Sequence, residues 1–355
     1  MIRILYVETT AYWPSSAHFL EALETRAGRS ELQFEFFDEA RIAGNDRSIV
    51  RRALARVSGV SSFAGELNAA LIERSRAFRP TVLLIAKGAW ISPATLRRIK
   101  REVGALLVNW ATDDPFNPVV ASDDLVQSIS LYDLYLCPRR AMVDDAIRSG
   151  CPRAVFVPFG YKPEIHFPEC PASDQERARF DCDVAFVGGA DRERAAVFAE
   201  IVRELPELKL HCYGGYWNRW PRLRRYARGF ATGRDFRLAL GGSKIAINLV
   251  RHANRDDNVM RSFEIPACGA FMLSERTPTH GSIFRDGVDA VLFDSTAELI
   301  AKIRIFLDDE SRRRAIAASG HERIVGGRHT YSDRLDSILE AVSAFDRFDT
   351  SAYTP

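Results

Sequence analysis

Asp256, Arg261 and Glu264 carry the side chains most suited to chemistry in this sequence. Asp256 immediately precedes, and Arg261 and Glu264 lie within, the stretch DNVMRSFEIPACGAFMLSE, residues 257–275. If residues 258–265 are helical, Arg261 and Glu264 are one turn apart, at i and i+3. Val259 and Phe263 then share another face and pack inward. A carboxylate so placed can accept hydrogen bonds from two vicinal hydroxyls, as on a ribose. An arginine can meet phosphate, and the helix start near Asn258 offers N–H groups that favour an anion. Asp256 and Asp257 repel phosphate unless one caps the helix and the other faces a sugar hydroxyl. The competing reading is a surface Arg–Glu pair worth under about 1 kcal/mol. The residue pattern leaves the two readings level.

A second candidate is GGADRER, residues 188–194. A strand, two glycines and a helix start make a pocket of backbone N–H groups at Gly188 and Gly189. Arg192 and Arg194 add charge-assisted bonds to a diphosphate. The G-x-G-x-x-G spacing of a dinucleotide site is missing, so a plain tight turn competes. His252 follows an apolar strand and reaches toward the same phosphates. Asp113 and Asp114 end ALLVNWATDDP (105–115). They bind an acceptor or act as base, or they simply form the turn before Pro115. Tyr12, Trp13 and Trp90 offer flat surfaces to a sugar or lipid acceptor, and Lys87 offers a charge. Ordinary packing and a solvated lysine compete with those roles. His329 reads as a helix-capping residue near a domain boundary. Asp181-Cys182-Asp183 has the letters of a metal-anchoring triplet but precedes a strand, and reads as structural. The six cysteines form no C-x-x-C and no zinc spacing; they read as buried thiols of a reducing cytosol. No metal site is expected.

The elements that position these groups alternate. Apolar strand segments at 2–8, 32–38, 81–88, 105–115, 133–138 and 154–160 are separated by helical patterns at 16–27, 64–79, 92–104, 120–131 and 139–149. Strands this apolar imply a parallel sheet covered on both faces. The proline-rich, aperiodic stretch 161–180 reads as a linker. Alternation restarts with a strand and turn at 182–190 and strands at 209–215, 244–250, 270–273 and 290–293. Helical patterns fall at 191–205, 219–228, 235–243, 296–308, 311–325 and 331–345. The expected fold is α/β: two Rossmann-like, doubly wound parallel-sheet domains facing a cleft. The domains are 1–160 and 181–330, followed by a terminal helical stretch and tail at 331–355. Ligands in such sheets bind beyond the carboxyl ends of the strands, where most of the candidates above are found.

Bulk properties narrow the partners. A length of 355 residues suits two domains. The net charge of +2 raises no field that demands nucleic acid. MIRILYVETT lacks the long apolar region of a signal peptide, and no apolar run reaches membrane-spanning length. The protein reads as cytoplasmic. The basic amphipathic segments 47–57 and 217–230 allow contact with an anionic membrane surface, against a solvated helix face.

RSFEIPACGAFMLSE, the run GSIFRDGVDAVLFDSTAELIAKIRIFLDDESRRRAIAASGHERI, and HTYSDRL resemble the C-terminal part of the CgeB/YkvP-like group of GT-B glycosyltransferases. The likeness covers roughly residues 182–342, and W-x-x-D-D-P at 110–115 extends it into the first domain. It implies that domain 1–160 holds the acceptor, that domain 181–330 holds a nucleotide sugar, that 331–355 crosses back to the first domain, and that the reaction is of the hexosyltransferase type. A nucleoside-diphosphate sugar is the donor, and a glycan, lipid-linked or protein hydroxyl is the acceptor, with no metal or other cofactor. The Glu-x7-Glu motif of related enzymes falls on Asp256 and Glu264. Glu264 matches the ribose-binding glutamate, and aspartate replaces the first glutamate. Kinship to such enzymes tilts the expectation toward retention. The alternatives are a GT-B-fold sugar-nucleotide epimerase and a non-catalytic two-lobed binding protein. A dinucleotide-dependent oxidoreductase is disfavoured by the missing glycine fingerprint.

Overall fold

A computed structural model of the chain describes residues 1–9, 14–44, 62–118 and 121–349. The chain forms two compact units. One comprises residues 1–158, 252–255 and the stretch from Tyr331; the other comprises 159–251 and 256–330.

The first unit carries β1 (Ile2–Glu8), α1 (Pro14–Gly28), β2 (Leu32–Asp38), α2 (Glu39–Gly44), α3 (Ser62–Phe78), β3 (Val82–Ala86), α4 (Pro93–Val103), β4 (Leu106–Trp110), α5 (Asp123–Ser128), β5 (Leu134–Cys137), α6 (Ala141–Arg148) and β6 (Ala154–Phe156). Its six strands are ordered β2-β1-β3-β4-β5-β6 and all run parallel. The apolar runs decide which strands are central. VLLIA of β3 is buried throughout, while LQFEFFD of β2 is half exposed and lies at the edge. Leu5, Val7, Leu83, Ile85 and Leu107 pack with Leu67, Leu71, Leu96 and Ile99 as one core. Helix α4 shows how locally its ends are written. Ser92 accepts from the Thr95 N–H, Pro93 takes the first turn, and Gly104 closes the helix at φ 73°.

The second unit carries α7 (Asp174–Phe180), β7 (Cys182–Val187), α8 (Arg192–Glu204), β8 (Leu210–Tyr213), α9 (Arg234–Gly241), β9 (Ser243–Asn248), α10 (Arg261–Ala267), β10 (Met272–Glu275), α11 (Pro278–Ile283), β11 (Val291–Phe293), α12 (Thr296–Asp308) and α13 (Glu310–Val325). Its five parallel strands are ordered β11-β10-β9-β7-β8. The order reverses between β7 and β9, the switch point of a doubly wound sheet. The last helix, α14 (Tyr331–Asp349), belongs to the first unit, where Asp336 pairs with Arg26 of α1.

Three local expectations change. The stretch 161–180 ends in α7, opened by a Ser173–Glu176 capping box. Two 3₁₀ turns, Trp217–Arg219 and Arg224–Tyr226, replace the helix expected near 219–228; Pro221 lacks the N–H a continuous helix needs. Trp217, Leu223 and Tyr226 of that segment are buried in the core. Helix α11 is unforeseen, although Thr277 as N-cap followed by Pro278 is a recognisable start signal. No described helix is long and apolar enough to cross a membrane. All six cysteines are free thiols, five buried and Cys170 exposed.

Candidate functional site

The second unit gathers its chemistry at the switch point. Helix α10 begins at Arg261, not at Asn258. Asn258 is fully buried instead: its Oδ1 accepts from the Phe159 N–H at 3.2 Å and its Nδ2 donates to Asp257 Oδ1 at 2.9 Å. The Val259 N–H donates to Ser262 Oγ at 3.0 Å, so it too is spoken for. From the first turn of α10, Arg261 donates through Nε to the Val187 carbonyl at the end of β7, 2.9 Å away, and through a second nitrogen to Glu264 Oε2. Glu264 is 1 % exposed. The pair at i and i+3 is therefore not a surface ion pair. Its carboxylate is enclosed, while the Arg261 side chain stays 27 % exposed.

A third member comes from a stretch with no sequence periodicity. His166 Nε2 stands 3.4 Å from Glu264 Oε1. The Lys162 N–H donates to His166 Nδ1 at 3.0 Å, so the neutral ring carries its proton on Nε2, toward the carboxylate. Phe236 of α9 backs both partners of Glu264. The Arg261 guanidinium lies 4.6 Å over its ring, and the His166 ring meets it edge-on at 5.5 Å. The segment is pinned by Arg237, which donates to Glu169 Oε2 at 2.7 Å and to the Ile165 carbonyl at 3.1 Å. An ionised carboxylate has about four acceptor positions, and Arg261 and His166 fill one on each oxygen of Glu264.

The glycine turn after β7 is tighter than a simple phosphate pocket. Gly188 N–H donates to the Tyr213 carbonyl and Ala190 N–H to the Gly215 carbonyl. Gly214, at φ 124°, lets the two turns touch: a β-carbon there would lie 2.6 Å from the Gly188 carbonyl. A β-carbon at Gly189 meets only ordinary contacts at 3.6 Å. Asp191 caps α8 on the Arg194 N–H. Arg194 is buried and ties the β7 turn to the end of β9, donating to the Gly189 and Leu249 carbonyls at 3.2 and 3.0 Å. Arg192, the first residue of α8, is exposed. Asp256 is 8 % exposed, and its N–H donates to the Arg251 carbonyl.

The first unit holds a separate cluster beyond β3 and β4, joined by residues 252–255. Lys87, in a left-handed conformation at φ 59°, pairs with Asp113 Oδ2 at 2.7 Å. Asn254 Nδ2 donates to Asp113 Oδ1 at 3.3 Å. Burial alone would lift the Asp113 pKa, but the Lys87 ammonium outweighs it and the net shift is downward. Asp114 differs. It is 1 % exposed, its Oδ1 accepts from the Phe116 N–H, and both oxygens accept from the fork of Arg255. Of the two roles weighed for this pair, Asp114 takes the turn-forming one. Asp113 keeps an open edge, its side chain being 30 % exposed. Nearby, burial first and Asp38 second push Glu39 up to about 7.

The remaining candidates scatter. Trp90 is 48 % exposed and meets Phe63 edge-on at 5.3 Å. His252 is exposed and opens the turn that carries Asn254. The His329 ring packs on Phe263 at 5.5 Å. Asp183 pairs with Lys244 at 2.8 Å, the structural role its triplet suggested. Tyr12, Trp13 and the basic segment 47–57 lie outside the described residues. Among those described, no group of three or more His, Cys, Asp or Glu is placed to hold a metal ion. Sequence reasoning missed His166, Asn254 and Arg255. None carries a motif, but Arg255 and Asn254 follow a strand end, where polar residues merit attention.

Residues 192–340 match the family model described as glycosyl transferase-like. A comparison with curated proteins gives no match. Among solved structures, Anabaena HepE in complex with UDP-glucose is similar over 97 % of this chain and 100 % of its own, at 11 % identity and a TM-score of 0.64. Sucrose-phosphate synthase from Thermosynechococcus elongatus aligns over the same shares at 11 % identity and 0.71. A putative UDP-N-acetylglucosamine 2-epimerase from Listeria monocytogenes aligns over 98 % of this chain and 97 % of its own, at 13 % identity and 0.57. The fold is GT-B. Arg192, Arg261 and Glu264 lie in the glycosyl transferase-like region, and the glycine turn after β7 immediately precedes it.

Proposed function

We propose that this protein is a glycosyltransferase of the CgeB/YkvP-like group. It transfers a hexose from a nucleoside-diphosphate sugar to an acceptor hydroxyl, retaining the anomeric configuration, without a metal and in the cytoplasm. The observation that carries this reading is the enclosed Glu264 carboxylate, oriented by Arg261 and His166 at the switch point of the second sheet. Two acceptor positions of that carboxylate suit the vicinal hydroxyls of a ribose. The half-exposed Arg261 suits an adjacent phosphate. HepE holds UDP-glucose on the same fold, which supports a uridine donor.

In the reaction the bond from the anomeric carbon to the diphosphate oxygen breaks and a bond to the acceptor oxygen forms. Negative charge gathers on the departing diphosphate. Cationic groups already in place lower the barrier because they need no reorganisation as that charge appears. Arg261 and the exposed Arg192 are the cations the second unit offers for this role. On a retaining course the acceptor proton leaves on the departing phosphate oxygen. Asp113, ionised and paired with Lys87, then serves as hydrogen-bond acceptor for the incoming hydroxyl. Asp256 takes the donor-sugar position of the motif. The acceptor is a glycan, lipid-linked or protein hydroxyl, and Trp90, Tyr12 and Trp13 are the aromatic surfaces offered to it.

Isothermal titration of the whole chain with UDP-, GDP-, ADP- and dTDP-linked sugars tests the reading. One donor class should bind at micromolar strength, and Glu264→Ala should weaken it about a hundredfold, the scale of two lost charged hydrogen bonds. Equal affinity in the variant removes Glu264 from the site. Conversion of the donor sugar with no acceptor present favours the epimerase instead.

A further inference from the structure

Helix α10 has no side-chain cap of its own, yet it must hold Arg261 and Glu264 in fixed directions. Four consecutive residues with no assigned role, Thr277-Pro278-Thr279-His280, grip the turn that precedes it. Thr277 Oγ1 donates to the Asp257 carbonyl at 2.6 Å, and Thr279 Oγ1 donates to Asp257 Oδ2 at 2.7 Å. His280 Nε2 lies 2.7 Å from Ser262 Oγ, and Ser262 is the residue between Arg261 and Phe263.

The proton positions follow from the partners. His280 Nδ1 is 2.6 Å from the Glu275 carbonyl, which can only accept, so Nδ1 bears the hydrogen. In a neutral ring Nε2 then accepts, and Ser262 Oγ–H donates to it. The two lone pairs of Ser262 take the Val259 N–H at 3.0 Å and Asn248 Nδ2–H at 3.2 Å. Every hydrogen-bonding position of that hydroxyl is filled. Ser262, His280 and Ser274 are each 0 % exposed. Asn248 Nδ2 also donates to Ser274 Oγ at 3.0 Å, so one network joins β9, β10, α10 and α11. Burial keeps the His280 pKa below the ordinary histidine value, in accord with a neutral ring.

The Ser262–His280 contact resembles a nucleophile with its base. It cannot be one here, because the hydroxyl is enclosed and fully bonded. We infer that His280 is a positioning residue: through Ser262, and with Thr279 acting on Asp257, it sets the direction in which α10 presents Arg261 and Glu264 to the nucleotide. The inference rests on the donor-binding reading of Glu264 and adds residues outside that site. A buried network in which the Ser262 hydroxyl is fully bonded fixes one arrangement strongly, because any alternative leaves a polar group unpaired in addition to Asn248 Oδ1, which has no partner.

The test titrates the whole chain with UDP, GDP, ADP and dTDP and then uses the tightest binder. His280→Phe should raise its dissociation constant at least tenfold while the protein still unfolds cooperatively in urea. His280→Gln, whose amide can accept from Ser262, should return within threefold of the unaltered protein. A purely structural role would weaken folding in both variants and spare affinity. Thr279→Val leaves the imidazole bonds intact and should raise the constant about threefold; it decides the matter if His280→Phe does not fold. Unchanged affinity in a folded His280→Phe, or in Thr279→Val where the former is unfolded, overturns the inference while Glu264 keeps its role. If no nucleotide binds the unaltered protein, or Glu264→Ala binds as well as it does, the donor-site reading fails and takes this inference with it.

Discussion

Asp114 in the first unit and Glu264 in the second are both 1 % exposed, and each meets an arginine. There the likeness ends. Arg255 closes on both oxygens of Asp114 as a fork, and the Phe116 N–H adds a third bond. That carboxylate has three of its about four acceptor positions filled, all by neighbouring protein groups, as suits a part of the fold. Glu264 is held at one position on each oxygen, by Arg261 and His166, which come from different elements. It is oriented but not saturated. Its neighbour in role, Asp113, is less buried and keeps one charged partner, Lys87. Burial alone therefore does not mark a functional carboxylate; the count of acceptor positions left over does.

The largest expected effect divides the Asp pair. Asp114→Ala leaves Arg255 without its fork and removes the turn bond, and should cost about 3 kcal/mol in urea unfolding. Asp113→Asn should cost under about 1 kcal/mol, because the pair it breaks is partly solvated, yet it should slow transfer at least tenfold. Equal stability losses would erase the distinction. A smaller effect probes Glu264. His166→Ala should weaken nucleotide binding about tenfold, the scale of one charged hydrogen bond, and leave acceptor KM unchanged. Unaltered binding would show that Arg261 alone orients the carboxylate.

The units should also answer pH in opposite senses. Glu39 has its folded pKa raised to about 7, by burial above all. The folded first unit binds that proton more tightly than the unfolded chain, so stability is full below about pH 4.5 and is lost as pH rises through 7. In the second unit burial presses His211 down to about 4 and lowers His280. There the unfolded chain binds the protons more tightly, so stability is full above about pH 6.5 and declines as pH falls toward 4. Hydrogen exchange at pH 5 and 7 should show β3 amides better protected at the lower pH and β9 amides better protected at the higher, each by about 2 kcal/mol. Glu39→Gln should flatten the first trend. Parallel trends in both units would contradict these assignments. The smallest effect is Gly189→Ala, expected to change stability by under about 0.5 kcal/mol because a β-carbon fits there. A loss of donor affinity in that variant would place the ligand against the β7 turn.

Much of the scaffold is legible in the chain. Runs such as VLLIA and LLVNW can only be buried strands, and Ser92-Pro93 with Gly104 brackets a helix unaided. Glu264 and Arg261 are legible as a pair because a one-turn spacing is a local property. Two things about that pair are not local. The i, i+3 pattern is the same whether the helix faces water or the core, and the onset at Arg261 depends on Asn258 being drawn to the Phe159 backbone. His166 is invisible for the same reason. Its partner lies 98 positions away, and no periodicity surrounds it.

The amino-acid sequence by itself determined the strands, most helices and their caps, the two parallel sheets they imply, and the short-range pairing of Arg261 with Glu264. Those follow from side-chain periodicity and backbone preference within a few residues. Tertiary structure alone decided that Asp114 is consumed by Arg255, that Glu264 is enclosed with His166, and that Thr277 to His280 holds the turn before α10. Each of these depends on which distant groups fill a carboxylate's or hydroxyl's hydrogen-bonding positions, and that is set only when the sheets bring separate elements together.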